Sequence, residues 1–293
     1  MVPAQTSPPD PLTRALARKA AAGTPGAAEG REVAAGDGWR VIDIVCTSGP
    51  CDRPFEEQQP WTAISLVLSG TFVYRSGGAP CLMSPGSVVL ANAGHPFECA
   101  HPHGEGDRCL SFQFSAELFE HLAHDAGART PAFDRDRLPP VRTLAPLTAR
   151  AAAALARPDS FEEVALELGG AVVRLASHPR RDAGSPKRDP RRVARALRRM
   201  ESRSGEPQTL EELARTAGLS RYHFLRTFKT VTGVTPHQWL LRARLRDAAQ
   251  RLVTSRTPVT EIALDVGFED LSNFIRSFRA EFGVSPRTYR LTA

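Results

Sequence analysis

The sequence predicts an α+β multidomain protein, with a strand-rich N-terminal half followed by an all-α C-terminal domain of two helix-turn-helix units. Three observations carry this. Between about residues 38 and 114, short alternating apolar runs are separated by glycine- and proline-bearing turns. From residue 116 the apolar residues recur at spacings of three and four. The last hundred residues then repeat themselves at an offset of 49 to 50. A chain of 293 residues exceeds the usual single domain, so two domains are expected.

Taken in order, residues 1–36 are rich in Pro, Ala and Gly and read as a flexible arm with one short helix over 12–22. They hold no compact apolar block of the signal-peptide kind. No run of ~18 apolar residues occurs anywhere, so a cytoplasmic protein without a membrane partner is expected. Trp39–Cys46 and residues 62–68, 71–75, 87–90, 96–99 and 109–114 read as strands, with Ser69-Gly70 a tight turn between the second and third. So many short strands suggest a sandwich or small barrel. Residues 116–123, 144–156 and 161–178 read as helices, the last carrying a stripe of Val164, Leu168, Val172 and Leu175. The charged stretch 179–190 is the expected linker. The expected division is a 1–36 arm, a 37–178 sensor and dimerisation domain, and a 191–293 DNA-binding domain.

Charge separates the halves. Residues 187–293 carry 21 Lys and Arg against 11 Asp and Glu, whereas the first 186 carry 17 against 21. A basic domain joined to a mildly acidic one is the electrostatic footprint of a nucleic-acid module. The five cysteines, Cys46, Cys51, Cys81, Cys99 and Cys109, lie within the first 110 residues. An odd count without a secretion signal points to reduced thiols.

In the C-terminal repeat, residues 213–219 match 262–268, residues 224–229 match 274–279, and Gly233-Val234-Thr235-Pro236 matches Gly283-Val284-Ser285-Pro286. Thr209-x-x-Glu212 is a capping box, Gly218 turns the chain, and Ser220 caps the next helix. Thr257 with Pro258, Gly267 and Asp270 are the expected equivalents in the second unit. Phe224 and Phe228, then Phe274 and Phe278, are the expected core anchors. Residues 236–255 form one long spacer helix, with Leu241, Leu245, Ala248 and Leu252 on one face.

The region from about residue 191 to 291 resembles the DNA-binding domain of the AraC/XylS family of bacterial regulators. The most specific part is Ile262-Ala263-x-x-x-Gly267-Phe268 followed by Asn273-Phe274-x-Arg276-x-Phe278-Arg279. The resemblance implies a transcription regulator, more often an activator, that contacts double-stranded promoter DNA and RNA polymerase. The second helix of each unit would enter the major groove. The expected base readers are Arg221, Tyr222, Leu225 and Arg226 in the first unit, and Ser272, Asn273 and Arg276 in the second. The alternative for the arginines is contact with phosphates or neighbouring carboxylates alone.

Ahead of such a domain, the strand-rich half resembles a cupin-like β-barrel with flanking helices, through Gly70-Thr71-Phe72, Ser84-Pro85-Gly86-Ser87 and Gly94-His95-Pro96-Phe97. This implies a small-molecule effector of unknown identity, with Trp61, Phe72, Tyr74 and Phe97 as expected pocket residues. The helices over 144–178 are candidates for pairing with a second subunit. No His-x-His pair lies near residues 61–74, so no metal, cofactor or catalytic residue is expected.

Three alternatives stand beside this. Cys99, His101, His103 and Cys109 carry metal-ligand chemistry at irregular spacing, as a metal or redox sensor would. Cys46-x4-Cys51 offers a redox pair instead. An enzyme or an alkyl-transfer repair protein bearing the helical module is the remaining class.

Overall fold

The computed structural model describes residues 10–155, 160–177 and 190–292. The N-terminal half is built on ten antiparallel strands: β1 (Ala28–Gly36), β2 (Trp39–Cys46), β3 (Phe55–Gln58), β4 (Thr62–Gly70), β5 (Phe72–Arg75), β6 (Cys81–Met83), β7 (Val88–Ala91), β8 (Pro96–Ala100), β9 (Asp107–Phe114) and β10 (Arg137–Leu138). They form two sheets, a six-stranded one in the order β1-β2-β9-β4-β7-β10 and a four-stranded one in the order β3-β8-β5-β6.

Alternation assigns the two faces of the large sheet. Ile64, Leu66, Val88, Leu90, Leu110, Phe112 and Phe114 point to one side and pack with Phe119, Phe161, Val164, Leu168 and Val172. Those last residues belong to α2 (Ala116–Asp125) and α4 (Phe161–Ala176), with α3 (Ala145–Ala154) beside them. On the other side Val67, Val89 and Cys109 meet Phe72, Tyr74, Met83 and Phe97 of the small sheet. β7 is buried at all four positions because both of its faces are covered.

Two local expectations fail. The short helix expected over 12–22 is present, but residues 10–36 are not otherwise a flexible arm. α1 (Pro11–Ala22) is capped by the Asp10 carboxylate and buries Leu12 and Ala15. Lys19 Nζ donates to Thr47 O at 2.8 Å and to Asp52 Oδ2 at 2.9 Å. The Lys19 hydrogen bond, joined by the Gly26 and Gly49 amides, lowers the Asp52 pKa to about 2. β1 then runs antiparallel to β2 from Ala28 opposite Cys46 to Gly36 opposite Trp39. Its composition hides it: an edge strand held by backbone bonds needs no apolar alternation. The second failure is Ser69-Gly70, which is not a hairpin turn. β4 belongs to the large sheet and β5 to the small one, so the chain crosses between sheets there. Residues 1–9 and 179–189, expected as arm and linker, lie outside the described residues.

The C-terminal domain comprises α5 (Pro190–Ser202), α6 (Leu210–Ala217), α7 (Arg221–Thr232), α8 (Pro236–Thr254), α9 (Val259–Asp265), α10 (Leu271–Phe282) and α11 (Pro286–Thr292). It holds two cores that share α8. Trp239 and Leu240 join Val193, Leu197, Leu213, Phe224 and Phe228 in the first. Leu245, Ala248 and Leu252 join Ile262, Phe274, Phe278 and Phe282 in the second. All four anchor phenylalanines expected from the repeat are fully buried.

Candidate nucleic-acid interface and sensor cavity

α6 and α7 form the first helix-turn-helix, and α9 and α10 the second. The Thr209 hydroxyl accepts from Glu212 N at 3.2 Å while Glu212 Oε2 accepts from Thr209 N at 3.1 Å, completing the expected capping box. Ser220 Oγ accepts from His223 N, and the Asp270 carboxylate accepts from Ser272 N at 3.0 Å and Asn273 N at 2.9 Å. These caps fix where α7 and α10 begin, and therefore which residues point outward.

The outcome is the same in both units. Arg221, Tyr222, Leu225 and Arg226 are exposed around buried Phe224 and Phe228. Ser272, Asn273 and Arg276 are exposed around buried Phe274 and Phe278. Tyr222 is 71% exposed and Leu225 38%. Leu271 and Ile275 share the exposed α10 surface and were not among the expected base readers, although Ile275 stands where α7 has Leu225. Among the described residues none of Arg221, Arg226 and Arg276 is paired with a carboxylate.

The start of α9 departs from the expected cap. Pro258, not Thr257, occupies the N-cap position, and no side chain caps the helix. Tertiary arginines hold this region instead. Arg290 Nη2 donates to Thr257 O, and Arg290 Nε to Leu252 O. Arg244 donates to Ser204 O, Gly267 O and Glu206 O at 2.7, 2.8 and 2.9 Å. Gly267 has φ +92°, and a Cβ there would stand 2.5 Å from Gly205 O. Both the backbone angle and the approach demand glycine.

The second candidate site lies between the sheets. A cavity of about 590 Å3, counted with its mouth, is lined by residues of both. Phe72, Tyr74 and Phe97 line it as expected, and burial raises the Tyr74 pKa above its ordinary value. Trp61 does not. It precedes β4, and Arg40 stacks on its ring with 4.9 Å from guanidinium carbon to centroid. Polar groups also face the cavity, among them Glu57, whose pKa burial raises, with Gln59, Ser65 and Asp107.

The Cys99/His101/His103/Cys109 cluster, weighed as an alternative, does not assemble among the described residues. Cys99 and Cys109 line the cavity as thiols whose pKa values burial pushes up. His101 converges instead on Asp107 and on Cys46 from the far end of β2. The cause is register. Cys46 and Asp107 are directly opposite in the β2–β9 ladder, a pairing invisible in local sequence. The 101–106 loop folds back over them. Gly106 N donates to Ser48 O at 2.8 Å, and a Cβ on Gly106 would stand 2.5 Å from Cys46 O. His101 Nε2 lies 2.6 Å from Asp107 Oδ1. Burial alone would lower the His101 pKa, but Asp107 and the neighbouring Cys46 outweigh it and push it up to about 9. Cys46 is buried and Cys51 exposed, and neither is in a disulfide.

Residues 213–292 match the helix-turn-helix domain family, and residues 52–172 match the AraC-like ligand binding domain family. The RCS-specific HTH-type transcriptional activator RclR of Escherichia coli is 37% identical over 99 residues, covering 34% of this chain and 35% of that protein. The regulatory protein SoxS of Salmonella typhimurium is 35% identical over 85 residues, covering 29% of this chain and 79% of SoxS. Among solved structures, the DNA-binding domain of AdpA, crystallised with a target DNA, is 34% identical over 34% of this chain and 90% of that one, with a TM-score of 0.33. The chain thus spans about a third of RclR, and 62% of the activator AarP of Providencia stuartii.

A strand-rich ligand-binding domain followed by a double helix-turn-helix defines a class of one-chain regulators. This chain belongs to the AraC family of transcription regulators. Among the described residues, no helix is long and apolar enough to cross a membrane.

Proposed function

We propose that this chain is an effector-responsive, sequence-specific transcription regulator that reads promoter DNA with α7 and α10. The observation that carries this is the matched exposure of the two helices: each buries its phenylalanine pair and offers polar side chains and arginines without carboxylate partners outward. Arg226 and Arg276 have the forked donor geometry that fits guanine O6 and N7, and Asn273 fits an adenine edge. The backbone donors at the capped helix starts and the surplus arginines supply phosphate contacts. RNA polymerase is the partner that an activator role requires.

The cavity is the effector site in this reading, and the small sheet is the wall that transmits occupancy. Phe72, Tyr74 and Met83 face the cavity side, while their alternates Val73 and Leu82 pack into the first core of the DNA-binding domain. Arg137 clamps that contact, donating to Leu82 O at 2.9 Å and Val231 O at 2.7 Å. Glu201 Oε1 accepts from Gly70 N at 3.1 Å, and the buried Trp239 indole donates to Ser84 Oγ. A ligand that displaces Phe72 or Tyr74 therefore moves β5 and, through their shared ladder, β6, which packs against α7.

The test is genome-wide mapping of sites bound by the full chain, followed by affinity for those sites at two salt concentrations. Binding should weaken steeply with salt as condensed counterions are released. Arg226→Ala and Arg276→Ala should each cost about 1–3 kcal/mol and relax preference at one base position. A folded chain without salt-sensitive duplex binding would overturn the reading.

A further inference from the structure

Cys46, His101 and Asp107 are all buried, and one potential ligand atom from each lies within 4.8 Å of the others. We propose that these three residues bind a borderline-soft divalent cation of the zinc class, at the end of the barrel cavity. Ligands about 2.0–2.3 Å from a common ion stand at most roughly 4.6 Å apart, so the observed grouping needs little adjustment to close around one. Thiolate with imidazole selects zinc-class ions over magnesium or calcium.

A buried His–Asp ion pair explains two of the three residues and leaves two facts unexplained. The His101 side chain is only 1% exposed, and the one group beside its otherwise unpartnered Nδ1 is the Cys46 sulfur. A thiol is a weak donor and a weak acceptor, so it satisfies a buried imidazole nitrogen poorly. The sulfur also accepts from the Ser48 amide, at the long distance of 3.5 Å. A cation accounts for both, with Nδ1 and the sulfur as ligands. The Asp107 carboxylate then either completes the set or orients the imidazole through Nε2, as carboxylates beside metal-bound histidines do. Cys46 and Asp107 also line the cavity, so a position on the ion remains open to a ligand there.

The chain's own architecture supports the site. Cys46 and Asp107 are held opposite each other by the β2–β9 ladder, and the Gly106 contact brings the His101 loop down on them. α1 covers this end, with Leu12 against Gly106. The trio uses a cysteine that sequence spacing groups with Cys51, so it departs from the expectation that the barrel holds no metal. It also stands apart from the regulator reading, because its readout needs no DNA.

The experiment titrates the purified full chain, stripped of metal under reducing conditions, with Co2+ and then Zn2+. One equivalent of Co2+ should produce a thiolate-to-cobalt charge-transfer band that Zn2+ removes. Zn2+ but not Mg2+ should raise the melting temperature. Cys46→Ser should abolish the band, and His101→Gln should weaken binding at least about tenfold. Cys51→Ser, altering an exposed thiol, should leave it unchanged. If Cys46→Ser fails to fold, His101→Gln and the wild-type melting shift decide the matter. A folded wild type with neither band nor shift overturns the proposal. So does a band that survives Cys46→Ser, which places the metal on Cys99 or Cys109.

Discussion

The two helix-turn-helix units share a pattern, and in each an arginine donates to the turn glycine's carbonyl, Arg192 to Gly218 O and Arg244 to Gly267 O, but their first helices begin differently. α6 in the first begins on a complete capping box, closed by hydrogen bonds between residues three apart. α9 in the second has no side-chain cap, and arginines from α8 and α11 hold its two ends through backbone carbonyls. The neighbours differ too. The first core takes in Leu82 and Val73 from the wall of the cavity, whereas the second takes in Ala145 and Ala149 of α3. The unit whose first helix carries its own cap is thus the one packed against the cavity wall. The unit whose first helix lacks one is packed against a helix on the other side of the large sheet. Ligand-driven change should enter through α7 before it reaches α10.

The largest expected effect comes from emptying one core. Phe274→Ala should destabilise by about 3–5 kcal/mol, because a fully buried aromatic loses its contacts and leaves a cavity. Hydrogen exchange should quicken in α9, α10 and α11 while α5, α6 and α7 keep their protection. Phe224→Ala should do the reverse and should also loosen β6, through Leu82. Phe274→Ala with an unchanged melting profile would show that the outward and inward faces of α10 are reversed.

Arg244→Ala should cost somewhat less, about 3 kcal/mol, since three carbonyls lose a charged donor at once. Its signature is distribution rather than size. Two of its acceptors lie in the segment joining α5 to α6 and the third is in the α9–α10 turn, so exchange should quicken in both units. Confinement to the second unit would mean that the Ser204 and Glu206 contacts contribute nothing.

Most of the DNA-binding half was legible because its signals are local. Caps, turn glycines and phenylalanine pairs act within four residues, and the repeat displays each of them twice. The barrel was legible only in its strongly alternating strands. β1 pairs through its backbone, β3 is largely exposed, and β6 is three residues long, so none carries a pattern worth reading. Trp61 was misassigned because an aromatic beside a strand says nothing about which face it takes. The Cys46–His101–Asp107 grouping was out of reach for a stronger reason. It depends on the β2–β9 register across about sixty residues, and no local spacing encodes a register.

The smallest effect sharpens the comparison most, because it pits an expectation from capping chemistry against the structure. Thr209 and Thr257 both read as caps in the sequence, although the offset of 49 sets Pro258, not Thr257, opposite Thr209. In the folded chain only Thr209 accepts a hydrogen bond from its helix, and Glu212 reciprocates. Thr209→Ala leaves Glu212 N without a partner at the helix start, which typically costs about 1 kcal/mol. Thr257→Ala removes a hydroxyl that caps nothing, and its carbonyl, the acceptor for Arg290, survives the substitution. That variant should fall within about 0.5 kcal/mol of the parent, as substitutions outside specific interactions do. Paired denaturant melts of the two variants measure the difference directly. Equal losses would restore Thr257 as a cap and remove the distinction between a first helix that carries its own cap and one that lacks it.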